Sequence, residues 1–440
     1  MALLAAPAIA SAAKRWTGPK VISGGDEVVD FPEVAINGRG KAVAVWYGGT
    51  ESELTMRSAT RLPGGKFQDP VTVGAANEPT GDNPPSLPSV AIDRRGNAIA
   101  SWLRTDAEGN LRVVVAFQPP NGEFGPPVDL SDPGQPAFDP QVAFDRRGRA
   151  VAVWERFDGT STRAQIAYKG ANASGFGAAQ TLSPPGRPAD VPRVGLTEDG
   201  TAYVVWLSQE LTPPFVHEVQ SRLRMRNGDL TELQVLSRVG EDGDDPRIAV
   251  SRKGTAMATW TQGTQTSPDV VATAFAAAPD DQPFQDPVTL PTEPGLAGLL
   301  GRPAVDRRGR TTILWLQAPP EDEPGTRFIV ATPATRSGAI GSGQLLDRST
   351  DDLLQPAIGV AAAGNAVAAW SNVPMNPPNT VRVAARGGRA QQFEATQTLN
   401  PVQTSGGPPA VATNRKLGVA VWELTTGDLG SGVVANLYRR

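Results

Sequence analysis

Cysteine is absent from all 440 residues, and histidine occurs once, at His217. The first absence excludes disulfides, thiolate metal sites, thiol nucleophiles and lipoprotein-type anchoring. The second excludes a histidine-rich metal site or a double-histidine acid–base pair within one chain. A serine–histidine–aspartate triad would have to be built around His217, and no G-x-S-x-G element accompanies it. Helical periodicity is nowhere sustained, so phosphate-binding loops that depend on a following helix are excluded too. No run is long enough to cross a bilayer as a helix. Net charge is only −4 over the whole length, which gives no general attraction for nucleic acid.

What the chain does have is tryptophan on a beat. Eight of its nine tryptophans, Trp46, Trp102, Trp154, Trp206, Trp260, Trp315, Trp370 and Trp422, lie 52 to 56 residues apart. A fixed period near 50 residues marks a repeat architecture, and it overrules the two or three domains that length alone would imply. The unit is clearest from Pro88 to Trp102, Pro-Ser-Val-Ala-Ile-Asp-Arg-Arg-Gly-Asn-Ala-Ile-Ala-Ser-Trp. Six residues before seven of these tryptophans stands a glycine, with Lys416 in the eighth copy. Three residues before the glycine stands Asn37, Asp93, Asp145 or Asp306 in four copies. Asp-x-x-Gly reads as a type I turn closed by a left-handed residue, hence a hairpin joining two antiparallel strands.

The second strand of each hairpin alternates without a wet face, as in Ala42, Ala44 and Trp46 against Val43 and Val45. A sheet apolar on both sides must lie between two others. Small residues in the first strand, such as Ala35, Ala91, Gly195 and Gly359, fit sheets that converge on an axis, with tryptophan filling the wider space outside. Proline fourteen residues before seven of the tryptophans fits a first strand with an unpaired edge on a central channel. Downstream come third strands such as Leu111 to Gln118 and outer strands such as the stretch that begins at Phe67. After Trp422 the chain has room for one more strand only, so the missing fourth strand is the N-terminal Trp16 to Ser23. The expected fold is all-β: an eight-bladed β-propeller of four-stranded antiparallel blades over residues 14–440, closed by the N-terminal strand. Seven blades plus a degenerate copy is the alternative. A closed ring of this kind is expected to be a monomer. Residues 1–13 are small and apolar with A-x-A patterns, as at the end of a secretory signal peptide, but lack a basic segment; they read as a partial signal peptide or a disordered tail.

Strand order decides which loops share a face. Turns between strands one and two and between three and four lie on one side of the disc, and the remaining loops lie on the other. The first set carries Arg94, Arg95, Arg146, Arg147, Arg307 and Arg308 at equivalent places, with Arg39, Arg252-Lys253 and Arg415-Lys416. Glu198-Asp199 and Ala362-Ala363 interrupt the series. These arginines are the candidate anion-binding ring, open to an anionic polymer such as a teichoic acid, an acidic polysaccharide or a nucleic acid; solvated turn tips are the plainer reading. The opposite face collects acids, densest at Glu241-Asp-Gly-Asp-Asp245. Calcium is conceivable there, and no other cofactor or metal is expected.

Across nearly its whole length the chain resembles secreted bacterial β-propeller proteins with Pro-x-Val-Ala-x-Asp-x-x-Gly-x-Ala-x-Ala-x-Trp repeats. Its likeness to sialidase-type and quinoprotein propellers is distant, because the glycine-to-tryptophan spacing is longer and the quinoprotein threonine is missing. The resemblance implies a scaffold and export to the medium or cell surface. The expected function is an exported, non-enzymatic binding or scaffold protein that recognises a polymer, glycan or cell-surface protein through its loop faces. The alternative is a carbohydrate-active hydrolase or lyase with an axial site on the acidic face.

Overall fold

A computed structural model describes residues 16–25, 28–50, 53–76, 86–213, 215–264, 267–280, 283–320, 323–400, 404–426 and 430–439. The 1–13 segment lies outside the described residues, as do Asp26, Glu27, Glu51, Glu78, Asp82, Glu321 and Asp322 of the acidic face. Eight antiparallel sheets form the ring. Blade 1 runs from its innermost strand Val28–Ile36 through Ala42–Thr50 and Glu53–Arg61 to the outer Val71–Ala75. Blades 2 to 7 repeat that order, opening with Ser89–Ile92, Ala137–Phe144, Ala189–Leu196, Asp242–Val250, Ala297–Val305 and Asp352–Val360. Blade 8 takes three strand positions from the C-terminal end and its outer strand, Lys20–Val21, from the N-terminal end. Trp16 bridges to Tyr438 and packs on its ring at 5.2 Å, and the Ile22 N–H donates to the Val433 carbonyl. The expected closure is the one observed.

The core is a ring of interfaces. Each of the eight repeat tryptophans is at most 1% exposed and packs against the preceding blade. Trp206 of blade 4 lies among Val151 and Val153 of blade 3, and Trp46 of blade 1 among Val419 and Val421 of blade 8. The inner strands crowd as the taper requires. A methyl group added at Gly195 of blade 4 would fall 2.2 Å from Val250 Cγ2 of blade 5, so glycine there is a steric necessity.

The repeat aspartate organises the hairpin turn. Buried Asp93 accepts hydrogen bonds from the Gly96 and Asn97 amides at 2.7 and 2.9 Å, and Asp145, Asp306 and Asn37 do the same work in their blades. The turns are then tied to one another around the ring. Lys41 Nζ donates to the Gly96 carbonyl at 2.8 Å, Tyr203 Oη to the Gly254 carbonyl at 2.7 Å, and Asn414 Nδ2 to the Asn37 carbonyl at 3.0 Å. The last of these links blade 8 to blade 1. Lys416 is explained by a turn one residue shorter: Asn414 N–H bonds the Leu417 carbonyl three residues on, where Asn37 N–H bonds Lys41 four residues on.

Two expectations about local structure change. The repeat proline does more than tolerate an open edge. In blades 1, 3, 4, 5 and 7 it follows a residue with φ near +50°, Phe31, Asp139, Val191, Asp245 or Gln355, at a register shift in the inner ladder. Leu300 before Gly301 repeats the conformation in blade 6. Proline, which has no N–H, sits at a bulge where none is needed. The outer strands are also shorter than expected. Phe67 and Phe284 make only isolated bridges, and the proline-containing residues after them leave the ladder before it resumes at Val71 and Val288.

Trp206→Ala should cost about 3–5 kcal/mol in chemical denaturation. The indole N–H of Trp206 has no partner among the described residues, whereas that of Trp370 donates to Asp347 at 2.6 Å. Trp370→Phe should therefore destabilise more than Trp206→Phe, and equal losses would refute the assigned role of that bond. Removal of residues 1–23 should lower the melting temperature markedly, because the outer ladder of blade 8 and Trp16 leave together; an unchanged melt would contradict closure by this strand.

Candidate anion-binding site at the channel mouth

The inner strands end on the hairpin-turn face in a shared vestibule. It comprises a cavity of about 1080 Å³ toward blades 6 to 8 and a smaller one of about 280 Å³ toward blades 1 to 5. Ile36, Ile92, Phe144, Leu196, Val250 and Val360 form an apolar floor. Above them stand seven arginines, Arg94, Arg146, Arg252, Arg307, Arg308, Arg389 and Arg415, with Glu198 and Glu394 as the acids not tied into turns. Asp93 and Asp145 also reach the wall, but their carboxylates are occupied by turn amides.

Of the six arginines selected from the sequence, the fold brings Arg94, Arg146, Arg307 and Arg308 to this vestibule. Arg95 and Arg147 do not line it; each is the second arginine of its turn and is exposed. The first arginine of each pair, directly after the buried aspartate, lines the vestibule, and in blade 6 the second, Arg308, does so as well. The interruption in blade 4 is an acid inside the ring: Glu198 lies 3.9 Å from Arg146, and its N–H donates to the Arg252 carbonyl at 2.9 Å. The Ala362-Ala363 interruption in blade 7 lines the larger cavity. There Arg389, from the loop between strands three and four, supplies the cation that the hairpin turn lacks. Arg389 was missed in the sequence, although the rule that the two loop sets share a face was sufficient to find it.

Arginine fields overlap here. Burial first, and then the proximity of Arg146, Arg307 and Arg94, hold the Arg252 guanidinium below its ordinary range against the opposing pull of Glu198. Among the described residues, Arg94, Arg252, Arg307, Arg308, Arg389 and Arg415 form no side-chain ion pair with an acid.

The other mouth is acidic but its carboxylates are dispersed. Within the dense segment, Glu241 meets Gln262, Asp242 lies 3.0 Å from Nδ1 of His217, and Asp245 pairs with Arg247 at 2.6 Å and with Arg302. Among the described residues no group of three or more acids or histidines is arranged to hold a metal. His217, which follows Thr212-Pro-Pro-Phe-Val216 and so reads in the sequence as a loop residue, opens the third strand of blade 4. Between blades 3 and 4, Glu155 is buried and accepts from the Val191 amide; burial and then the neighbouring Asp139 and Asp190 raise it well above the usual carboxylate range.

No protein-family model matches the chain, and no curated protein matches it. Among solved structures, a polysaccharide lyase of the PL25 ulvan lyase family, bound to -[GlcA(1-4)Rha3S]-, superposes with a TM-score of 0.55 at 10% identity, over 87% of this chain and 95% of that one. The BP39L lectin from Burkholderia pseudomallei gives a TM-score of 0.50 at 11% identity, over 78% and 97%. At such identities the likeness is one of fold, the β-propeller.

One channel-lining group provides a pH test of the geometry. Burial raises Glu33 of blade 1 to about 7, against the Val34 amide and Arg247 across the channel, which lower it. Its ordinary value is 4.5, so the folded state resists ionisation and stability is lost as pH rises from about 4.5 through about 7. Glu33→Gln should therefore raise the melting temperature more at pH 8 than at pH 5. An equal effect at both would show that the carboxyl is solvated.

Proposed function

We propose that the protein is an exported binding protein that holds an acidic polysaccharide at the arginine-lined mouth of its channel. One observation carries this reading. Arginines from blades 2, 3, 5, 6, 7 and 8 line one vestibule around the axis, and six of them have no acidic partner there. Cations gathered in a concave site reinforce one another, and a polyanion that neutralises them releases its own counterions. The apolar floor beneath the arginines suits the flat faces of sugar rings, and a cavity of about 1080 Å³ has room for more than a small ion. Propellers of this fold include one solved with -[GlcA(1-4)Rha3S]- and one described as a lectin, which makes an acidic glycan the first polyanion to test. The A-x-A patterns of residues 1–13 support export.

A second reading, a carbohydrate-active hydrolase or lyase at the acidic mouth, is favoured by Glu155. A buried carboxyl whose proton affinity is raised by burial and by two neighbouring carboxyls is the kind of group that general acid catalysis uses.

The test is a titration of the wild type and of an Arg307→Ala/Arg308→Ala/Arg389→Ala/Arg415→Ala variant against a sulfated uronate polysaccharide, neutral dextran and duplex DNA. Wild-type affinity for the acidic glycan should fall about tenfold between 50 and 200 mM salt if two charges are neutralised. The variant should lose most of the affinity and most of the salt dependence, and dextran should not bind. Equal binding by both proteins would overturn the site; tighter binding of DNA would overturn the ligand class.

A further inference from the structure

Deeper in the channel, one level of the inner strands breaks the eightfold symmetry. The residue paired with the one just before the repeat tryptophan is Arg193 in blade 4, Arg247 in blade 5 and Arg302 in blade 6. At the same level the remaining blades carry Glu33, Ser89, Gln141, Ala357 and Ala410. Three residues along each strand separate this level from the vestibule floor, a distance of roughly 10 Å.

The neutral polar members of the level act as latches between blades. Ser89 Oγ accepts from the Val142 amide at 3.2 Å, and Gln141 Oε1 accepts from the Val194 amide at 2.6 Å. Arginine has no acceptor atom and cannot serve in this way. Two of the three guanidiniums share one carboxylate instead: Asp245 pairs with Arg247 and with Arg302. Arg193 donates to the carbonyl of its own neighbour, Pro192, at 3.1 Å and forms no ion pair among the described residues. Arg302 and Arg247 retain 18% and 24% side-chain exposure, so water reaches them. Burial first, and then Arg302 and Arg193, push Arg247 down to about 9, with Asp245 and Asp139 opposing. Asp245 is thus the one carboxylate paired directly within the arc, Asp139 and Glu33 act on Arg247 from further off, and Arg193 is left without an ion pair among the described residues.

We propose that Arg193, Arg247 and Arg302 form a second site, separate from the vestibule, that binds a single oxyanion, a carboxylate or a sulfate group. The forked guanidinium donors match the oxygens of either group, and Arg193 supplies the free fork. Ala357 and Ala410, in blades 7 and 8 next to Arg302 of blade 6, place short side chains beside the arc at the same level. This site is independent of the glycan reading, because it needs neither the vestibule arginines nor a polymer.

The experiment is calorimetric titration of the full chain with sodium selenate and with sodium glucuronate, using wild type, Arg193→Gln and Arg307→Ala/Arg308→Ala. The wild type should bind at least one of the two anions. Arg193→Gln should weaken that binding by about tenfold or more, with an unchanged melt, and the vestibule variant should retain it. Selenate alone identifies a sulfate site and glucuronate alone a carboxylate site, and either supports the proposal. It is overturned if the wild type binds neither, if Arg193→Gln binds as well as wild type, or if the vestibule variant loses the binding instead. Should Arg193→Gln fail to fold, anomalous scattering from selenate in wild-type crystals decides: a peak between Arg193 and Arg247 supports the site, and no peak there overturns it.

Discussion

No blade of this ring could stand alone in water, because its second strand is buried on both faces. Val151 and Val153 point one way to Trp206 of the next blade, while Ala150, Ala152 and Trp154 point the other way into blade 2. The apolar surface of each sheet is thus satisfied only by two neighbours, and the eighth boundary must be made as well as the other seven. From this follow the N-terminal outer strand, the side-chain latches from turn to turn, and the small residues at the inner strands. Gly195 meets Val250 at a separation that admits no side chain, while each tryptophan fills the wider gap further out. The wedge shape of the blade is written in that gradient of side-chain volume.

Those constraints explain what could be read from the chain in advance. Tryptophan spacing, turn glycine and turn aspartate were legible because each answers a demand repeated in every blade. The bulge before the repeat proline was not, since Phe31, Asp139, Val191, Asp245, Leu300 and Gln355 share a backbone conformation but no chemistry. A left-handed residue is usually announced by glycine, asparagine or aspartate, and of those six positions only Asp139 and Asp245 carry one. The shorter turn of blade 8 was hidden for the opposite reason: aligning by the tryptophan put Lys416 in the glycine position, although Asn414 had already taken over the aspartate's hydrogen bonds.

The candidate sites were legible in proportion to how regularly their residues recur. Arg94, Arg146, Arg307 and Arg308 occupy a repeated place in a repeated turn, so strand order alone sent them to one face. Arg95 and Arg147 stand second in their turns, as Arg308 does, yet only Arg308 of these three reaches the vestibule wall, so the repeat position alone does not decide which second arginine lines it. Arg389 belongs to a loop of variable length and sequence, and the channel arginines belong to a strand position that reads Glu, Ser, Gln, Arg, Arg, Arg, Ala around the first seven blades. Such positions carry no repeat signal, and only the ring shows that three of them are neighbours.

Departure from the repeat is also where a ring acquires a direction. Eight equal turns would present an eightfold field, which attracts a polyanion without orienting it. Glu198 breaks that field beside Arg146, and the three-arginine arc breaks it again below. The gap at Ala362 and Ala363 has a different effect from a lost charge. Short side chains there leave the opening of the larger cavity, while Arg307, Arg308, Arg389 and Arg415 remain on its walls. A complete ring of arginines at the turns would be more positive, but it would also fill the space a ligand needs. The two alanines thus exchange one increment of positive charge for open space in the wall of the larger cavity.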